Sequence, residues 1–127
     1  MQVLFVEDDP MNRRVIRDML TIVGVAMDEA NDARTGLQMV QDEQYDVILM
    51  DLRMPGMDGL EAIRSIRGRG DAKARTPIIV ITADMGSNLR HEAFASGADQ
   101  VLEKPVAMNV LFDALGQALG GEDHPIS

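Results

Sequence analysis

Short apolar runs alternate along this chain with longer stretches in which apolar residues recur every three or four positions. The runs fall at residues 3–6, 47–50 and 78–81, with weaker ones at 25–27 and 101–102. The strongest are four residues long, rich in β-branched side chains, and apolar at every consecutive position. A strand with one wet face alternates between apolar and polar. A strand covered on both faces does not, so these runs predict a parallel sheet buried between helical layers. Five helical stripes lie between and after them: Met11, Val15, Ile16, Met19, Leu20 and Val23; then Ala33, Leu37 and Val40; then Leu60, Ile63 and Ile66; then Leu89, Ala93 and Phe94; and finally Val110, Leu111, Ala114, Leu115 and Ala118.

The punctuation agrees with this division. Asp9-Pro10 sets an N-cap before a proline suited to a first helical turn. Gly24 and Gly97 fall where helix C-caps are expected, and Asp58 with Glu61 has the spacing of a capping-box variant. Five strands alternating with five helices predict one α/β domain over residues 1–119, a doubly wound five-stranded parallel sheet in three layers. Residues 120–127 read as a flexible C-terminal tail. In such sheets the functional crevice lies beyond the carboxyl ends of the strands.

Composition narrows the function classes. The chain has 127 residues, 46% of them hydrophobic, which suffices for one core. Aromatics are few, and ten methionines serve as adaptable packers. The absence of cysteine excludes disulfides, thiolate metal sites and cysteine nucleophiles. A net charge of −9 argues against direct binding to nucleic acid. Arg64, Arg67, Arg69, Lys73 and Arg75 form one basic cluster, interrupted by Gly68, Gly70 and Asp71, and read as a solvated helix end and loop. No apolar run reaches membrane-spanning length and the start MQVLFVEDD is unlike a signal peptide, which points to a cytoplasmic setting without membrane insertion.

The strand ends carry the chemistry. The first ends in Glu7-Asp8-Asp9, the third in Asp51, the fourth in Thr82, and Lys104-Pro105 follows the fifth. Singly, each has a bland reading: a helix start, a local hydrogen bond, a surface lysine. Delivered to one crevice, they suit phosphoryl transfer to a carboxylate. Glu7, Asp8 and Asp51 would crowd negative charge that a cation must relieve, and a few hard oxygen ligands favour Mg2+. Asp51, closing the most apolar strand, is the candidate nucleophile, with Thr82 as donor to a phosphoryl oxygen and Lys104 as its point-charge partner.

These segments resemble the receiver domain of response regulators. The motifs are FVEDD, VILMDLRMPGMDG, IIVITA and GADQVLEKP, and the match runs from about residue 3 to residue 119. The resemblance implies a flavodoxin-like strand order 2-1-3-4-5, for which a receiver is itself a known example. It implies Glu7, Asp8, Asp51 and the backbone carbonyl of Arg53 as Mg2+ ligands, with Asp51 accepting the phosphoryl group from a phosphohistidine. It also implies Thr82 and Lys104 as sensors of that group and a cis peptide before Pro105. The partner would be a histidine kinase or histidine-phosphotransfer protein, meeting Met11, Arg14, Val15, Pro105 and Val106. The protein would be a signalling phosphoacceptor that assists its own phosphorylation and dephosphorylation, not a metabolic enzyme.

The sequence departs from the pattern at Val101, where receivers often carry a switching Tyr or Phe. Either Val101 simply packs while Thr82 acts through the following loop, or the domain relays phosphate onward. Arg53 and Asp84 each lie two residues past a site residue, so their opposite charges could pair across the path of an attacking water. A pseudo-receiver that docks without phosphate is the alternative, although it would need none of this residue set. A dehalogenase-like phosphatase expects an aspartate where Arg53 stands, and a dinucleotide-binding protein expects glycines where Asp9-Pro10 stands.

Overall fold

The computed structural model describes residues 1–84 and 86–120. Its elements are β1 (Gln2–Val6), α1 (Pro10–Ile22), β2 (Ala26–Ala30), α2 (Ala33–Asp42), β3 (Val47–Met50), α3 (Gly59–Arg67), a short 3-10 turn (Ala72–Arg75), β4 (Ile78–Thr82), α4 (Ser87–Ser96), β5 (Gln100–Glu103) and α5 (Met108–Gly120). The tail assigned to 120–127 falls outside the described residues except for Gly120, which closes α5.

The strands lie parallel in the order β2-β1-β3-β4-β5, as expected. Alternate residues of each central strand face opposite layers. Leu4, Val6, Ile48, Met50, Ile78 and Val80 pack toward the side holding Val40, Ile63, Ile66 and Ala93 of α2, α3 and α4. Val3, Phe5, Val47, Leu49, Ile79 and Ile81 pack toward Ile16, Leu20, Leu111 and Leu115 of α1 and α5. Every residue of β3 and β4 is buried, which is why their sequences show no alternation.

The edge strands differ from their apolar runs. β2 continues through Asp28 and Glu29 to Ala30, because pairing with β1 holds its backbone while one edge stays open. Its acids find partners instead of a core: the Tyr45 hydroxyl donates to Asp28 at 2.7 Å, and Arg13 and Arg17 hold Glu29. The helical stripes are also narrower than expected. On α1 only Ile16 and Leu20 are buried, while Met11 and Val15 face solvent. On α4 the stripe reduces to Ala93 and the partly buried Leu89, and Phe94 lies outside under the Arg90 guanidinium.

Within the basic cluster Arg64 and Arg75 are exposed as expected, but Arg67 and Lys73 are tied to main-chain carbonyls. The Arg67 guanidinium donates to the carbonyls of Ala74, Thr76 and Gly97 and to the Asp99 carboxylate. Gly97 has φ 120°, and a Cβ there would lie 2.6 Å from the Arg67 side chain, so both backbone and space require glycine. The Lys73 ammonium donates to three carbonyls, of Val40, Gln41 and Glu43, and so caps the C-terminus of α2. These two cations bind helix ends to loops at the edge remote from the strand C-termini.

Candidate functional site

Four strands deliver polar groups to one rim. The predicted caps set the entry angles: Asp9 accepts from the Met11 amide with Pro10 in the first turn of α1, and Asp58 accepts from the Glu61 amide at the start of α3. Asp51 is anchored by its amide, which donates to the Val6 carbonyl at 3.0 Å. The Lys104 amide donates to the Thr82 carbonyl at 2.9 Å, and the Lys104–Pro105 peptide is cis.

Glu7, Asp51 and Thr82 are the only polar residues buried among those described. Carboxylate oxygens of Glu7, Asp8 and Asp51 lie within 4.8 Å of one another. Among the described residues a single cation stands with them: Lys104 Nζ is 2.6 Å from Glu7 Oε1 and 3.5 Å from Asp51 Oδ2. The other Glu7 oxygen accepts from the Asp9 amide at 3.2 Å. Three carboxylates against one ammonium leave the rim under-neutralised. An all-oxygen, anionic donor set of this kind fits a hard divalent cation.

The charges are visible in the proton equilibria. Desolvation, then the hydrogen bond and repulsion of Glu7, raise Asp8 above the ordinary aspartate range. Desolvation acts to lower Lys104, but the Glu7 hydrogen bond and the charges of Asp51 and Glu7 outweigh it, and its pKa is raised. Thr82 Oγ1 accepts from the Asp84 amide at 3.2 Å, which leaves the hydroxyl proton available for a group in the cleft.

A cleft of about 470 Å³ opens over Asp51, Arg53, Ala83, Asp84 and Lys104. Arg53 and Asp84 form an ion pair across its mouth. The Asp84 carboxylate sits below its ordinary value, first through the Gly86 amide that donates to it and then through Arg53. Val101 is buried in the layer with Met50 and Val80, so it packs as a core residue.

The outer candidates separate into two groups. Met11 and Val15 are exposed on α1, and the Arg14 side chain is in solvent near Asp18. Beside them runs a narrow groove of about 180 Å³ between Asn12, Val15, Met19, Pro105 and Val106. Val106 itself is a correction to the sequence reading. It is buried at 8% exposure, because its side chain closes the α1–α5 layer of the core and forms only the groove floor.

Gly59 was not singled out by sequence, yet its closeness shapes the site. A Cβ there would stand 2.5 Å from the Asp51 carbonyl oxygen and 2.8 Å from Leu52 Cα. Both are backbone atoms and neither can rotate away. Gly59→Ala is expected to destabilise the domain by about 1–3 kcal/mol, as overpacking does, and to displace the Asp51 backbone. Urea unfolding and the amide shifts of residues 50–53 measure the two effects.

The comparisons with known proteins agree in kind. A family model described as the response regulator receiver domain matches residues 3–116. The sensor histidine kinase AruS of Pseudomonas aeruginosa is 38% identical over 118 residues, covering 92% of this chain and 12% of the relative. The response regulator MprA of Mycobacterium leprae is 37% identical over 111 residues, covering 87% of this chain and 47% of the relative. The chain therefore spans under half the length of either protein. Among solved structures, the receiver domain of another Pseudomonas aeruginosa sensor histidine kinase, with a magnesium ion coordinated in its active-site cleft, superposes with a TM-score of 0.86. It shares 34% identity, with 94% of this chain and 97% of that one covered. The chemotaxis protein CheY4 of Vibrio cholerae superposes at 0.85 with 30% identity, covering 93% and 98%.

Proposed function

The chain belongs to the response regulator receiver domain family, and on that premise we propose that it accepts a phosphoryl group on Asp51 and carries it as a signal. The observation that supports this most is the three-carboxylate rim with its single ammonium, in which Asp51 is buried, anchored by its backbone and open to the cleft. An Asp51 carboxylate oxygen attacks the phosphorus of a phosphohistidine, and the P–N bond breaks with its electron pair passing to the imidazole nitrogen. The product is an acyl phosphate. In dephosphorylation, water attacks the phosphorus, the bond between phosphorus and the carboxylate oxygen breaks, and inorganic phosphate leaves as the free carboxylate returns.

Glu7, Asp8, Asp51 and the Arg53 carbonyl would hold a Mg2+ ion, which when bound supplies positive charge against the phosphoryl oxygens. Lys104, now engaged with Glu7, offers its ammonium to one phosphoryl oxygen, and Thr82 donates its hydroxyl proton to another. These new contacts bias a two-state equilibrium. With Val101 packed in the core, Thr82 passes the change through the residues that follow it and into α4.

The phosphodonor is a histidine kinase or histidine-phosphotransfer protein. The exposed Met11 and Val15 beside the groove to Pro105 offer it an apolar landing next to the cleft, with Arg14 at the margin. No helix among the described residues is long and apolar enough to cross a membrane.

An acyl phosphate is cleaved by neutral hydroxylamine, whereas phosphoserine and phosphothreonine are not. Phosphoryl label gained from a small acyl-phosphate donor should therefore be released by hydroxylamine; label that survives would contradict an aspartyl acceptor. The Arg53–Asp84 pair is proposed to slow hydrolysis by obstructing the incoming water. Arg53→Asn and Asp84→Ala should each speed loss of the label severalfold, and unchanged decay rates in both would defeat that role.

A further inference from the structure

Glu7 follows the last residue of β1, and in an extended strand successive side chains point to opposite faces. Glu7 and Asp8 can both reach Asp51 only if the chain leaves the strand conformation between them and is held there against the repulsion of three like charges. The Glu7 amide is fixed by the Ala30 carbonyl at 2.9 Å. The next two carbonyls are fixed by one side chain. Arg13, in the first turn of α1, folds back over the loop, and its Nη1 donates to Glu7 O at 2.8 Å and Asp8 O at 3.2 Å.

The same guanidinium is itself held. Its Nε donates to Glu29 Oε1 at 3.1 Å, and Arg17 takes the other Glu29 oxygen at 2.5 Å. The Arg13 side chain is only 18% exposed, unlike Arg14 at 70%. Glu29 thus orients the fork and offsets its charge, so that Arg13 holds the loop without acting as a rival cation beside the carboxylates.

We infer that Arg13 is a positioning residue that sets the Glu7 and Asp8 peptide planes so that their carboxylates converge on a divalent cation with Asp51. This rests on the proposed reading of the cleft as a Mg2+ site. Groups that orient metal ligands from behind commonly govern affinity as strongly as they govern geometry.

Calorimetric titration of the full chain with MgCl2 tests it, using wild type, Arg13→Met and Arg17→Met, with urea unfolding of each in chelator. Both variants lose a tether between α1 and β2, so both should lose some stability. Only Arg13→Met should weaken Mg2+ binding, by about tenfold, while Arg17→Met stays within about twofold of wild type. An Arg13→Met affinity equal to wild type, or an equal loss in Arg17→Met, overturns the positioning role. Should Arg13→Met fail to fold, Arg13→Lys takes its place, since it keeps the charge but not the planar fork. It should weaken binding severalfold, and an unchanged affinity again overturns the role. A wild-type protein that binds no Mg2+ would instead bring down the reading of the cleft, and this inference with it.

Discussion

Asp51→Asn is expected to give a folded protein that gains no phosphoryl group from any donor. Asparagine keeps the shape of the side chain and leaves the main-chain bond from residue 51 to the Val6 carbonyl intact. What it removes is the anionic oxygen that must attack phosphorus. It also removes one of three carboxylates crowded within 4.8 Å. In chelator the variant should therefore be at least as stable as wild type, because relief of like-charge repulsion opposes the loss of the 3.5 Å contact with Lys104. Parallel urea unfolding and phosphorylation assays separate these effects. Uptake at the wild-type rate would place the acceptor elsewhere, and an unfolded variant would show that Asp51 is needed for the fold instead.

Lys104→Met should have the largest effect on stability. Glu7 is 1% exposed and its carboxylate has two partners, the Lys104 ammonium and the Asp9 amide. Methionine replaces the stem but leaves Glu7, Asp8 and Asp51 without a counter-charge. Removing one partner of a buried pair costs roughly 3–5 kcal/mol, and water at the open cleft brings this toward about 3 kcal/mol. Added Mg2+ should narrow the gap and bind the variant more tightly than wild type, since the ion no longer competes with an ammonium.

The pH dependence follows from the raised Lys104 pKa. A cation whose folded pKa exceeds its unfolded value contributes fully below the unfolded value, about 10.4 for lysine, and loses that contribution as pH rises through the folded one. The difference between wild type and Lys104→Met should hold constant from neutral pH to about that point and shrink above it. Urea unfolding in chelator reads it directly, and a variant as stable as wild type at neutral pH would contradict the charge balance described for the rim.

The parts of the fold most legible in the sequence were those where one force dominates. The consecutive apolar residues at 47–50 and 78–81 read as strands covered on both faces, and Asp9-Pro10 as the start of a helix. The rim followed because the topology brings strand C-termini together, so Glu7, Asp8, Asp51, Thr82 and Lys104 meet without any local sequence signal that they should. Burial was harder to read. Val15 and Phe94 fit an apolar stripe as well as Ile16 and Ala93 do, yet helix rotation puts the first pair in solvent and the second in the core. Val106 went the other way, because the turn after Lys104 directs it inward.

Long cations were the least legible. Arg13, Arg67 and Lys73 have compositions and neighbours like those of exposed residues. Most of their partners are main-chain carbonyls outside their own helix, which no side-chain pattern announces. Gly59 left a fainter trace: a glycine opening a helix beside the proline- and glycine-bearing loop after Asp51, where backbones pass closely.

Asp51 is tested as the phosphoryl acceptor by intact-mass measurement of the wild-type chain after incubation with a small acyl-phosphate donor, with Mg2+ and with chelator, followed by peptide mapping. The expected result is a mass gain of one phosphoryl group per chain in Mg2+, little or none in chelator, and its location on the peptide containing Asp51. A chain that binds Mg2+ yet gains no phosphoryl mass, or gains it on another residue, would contradict it.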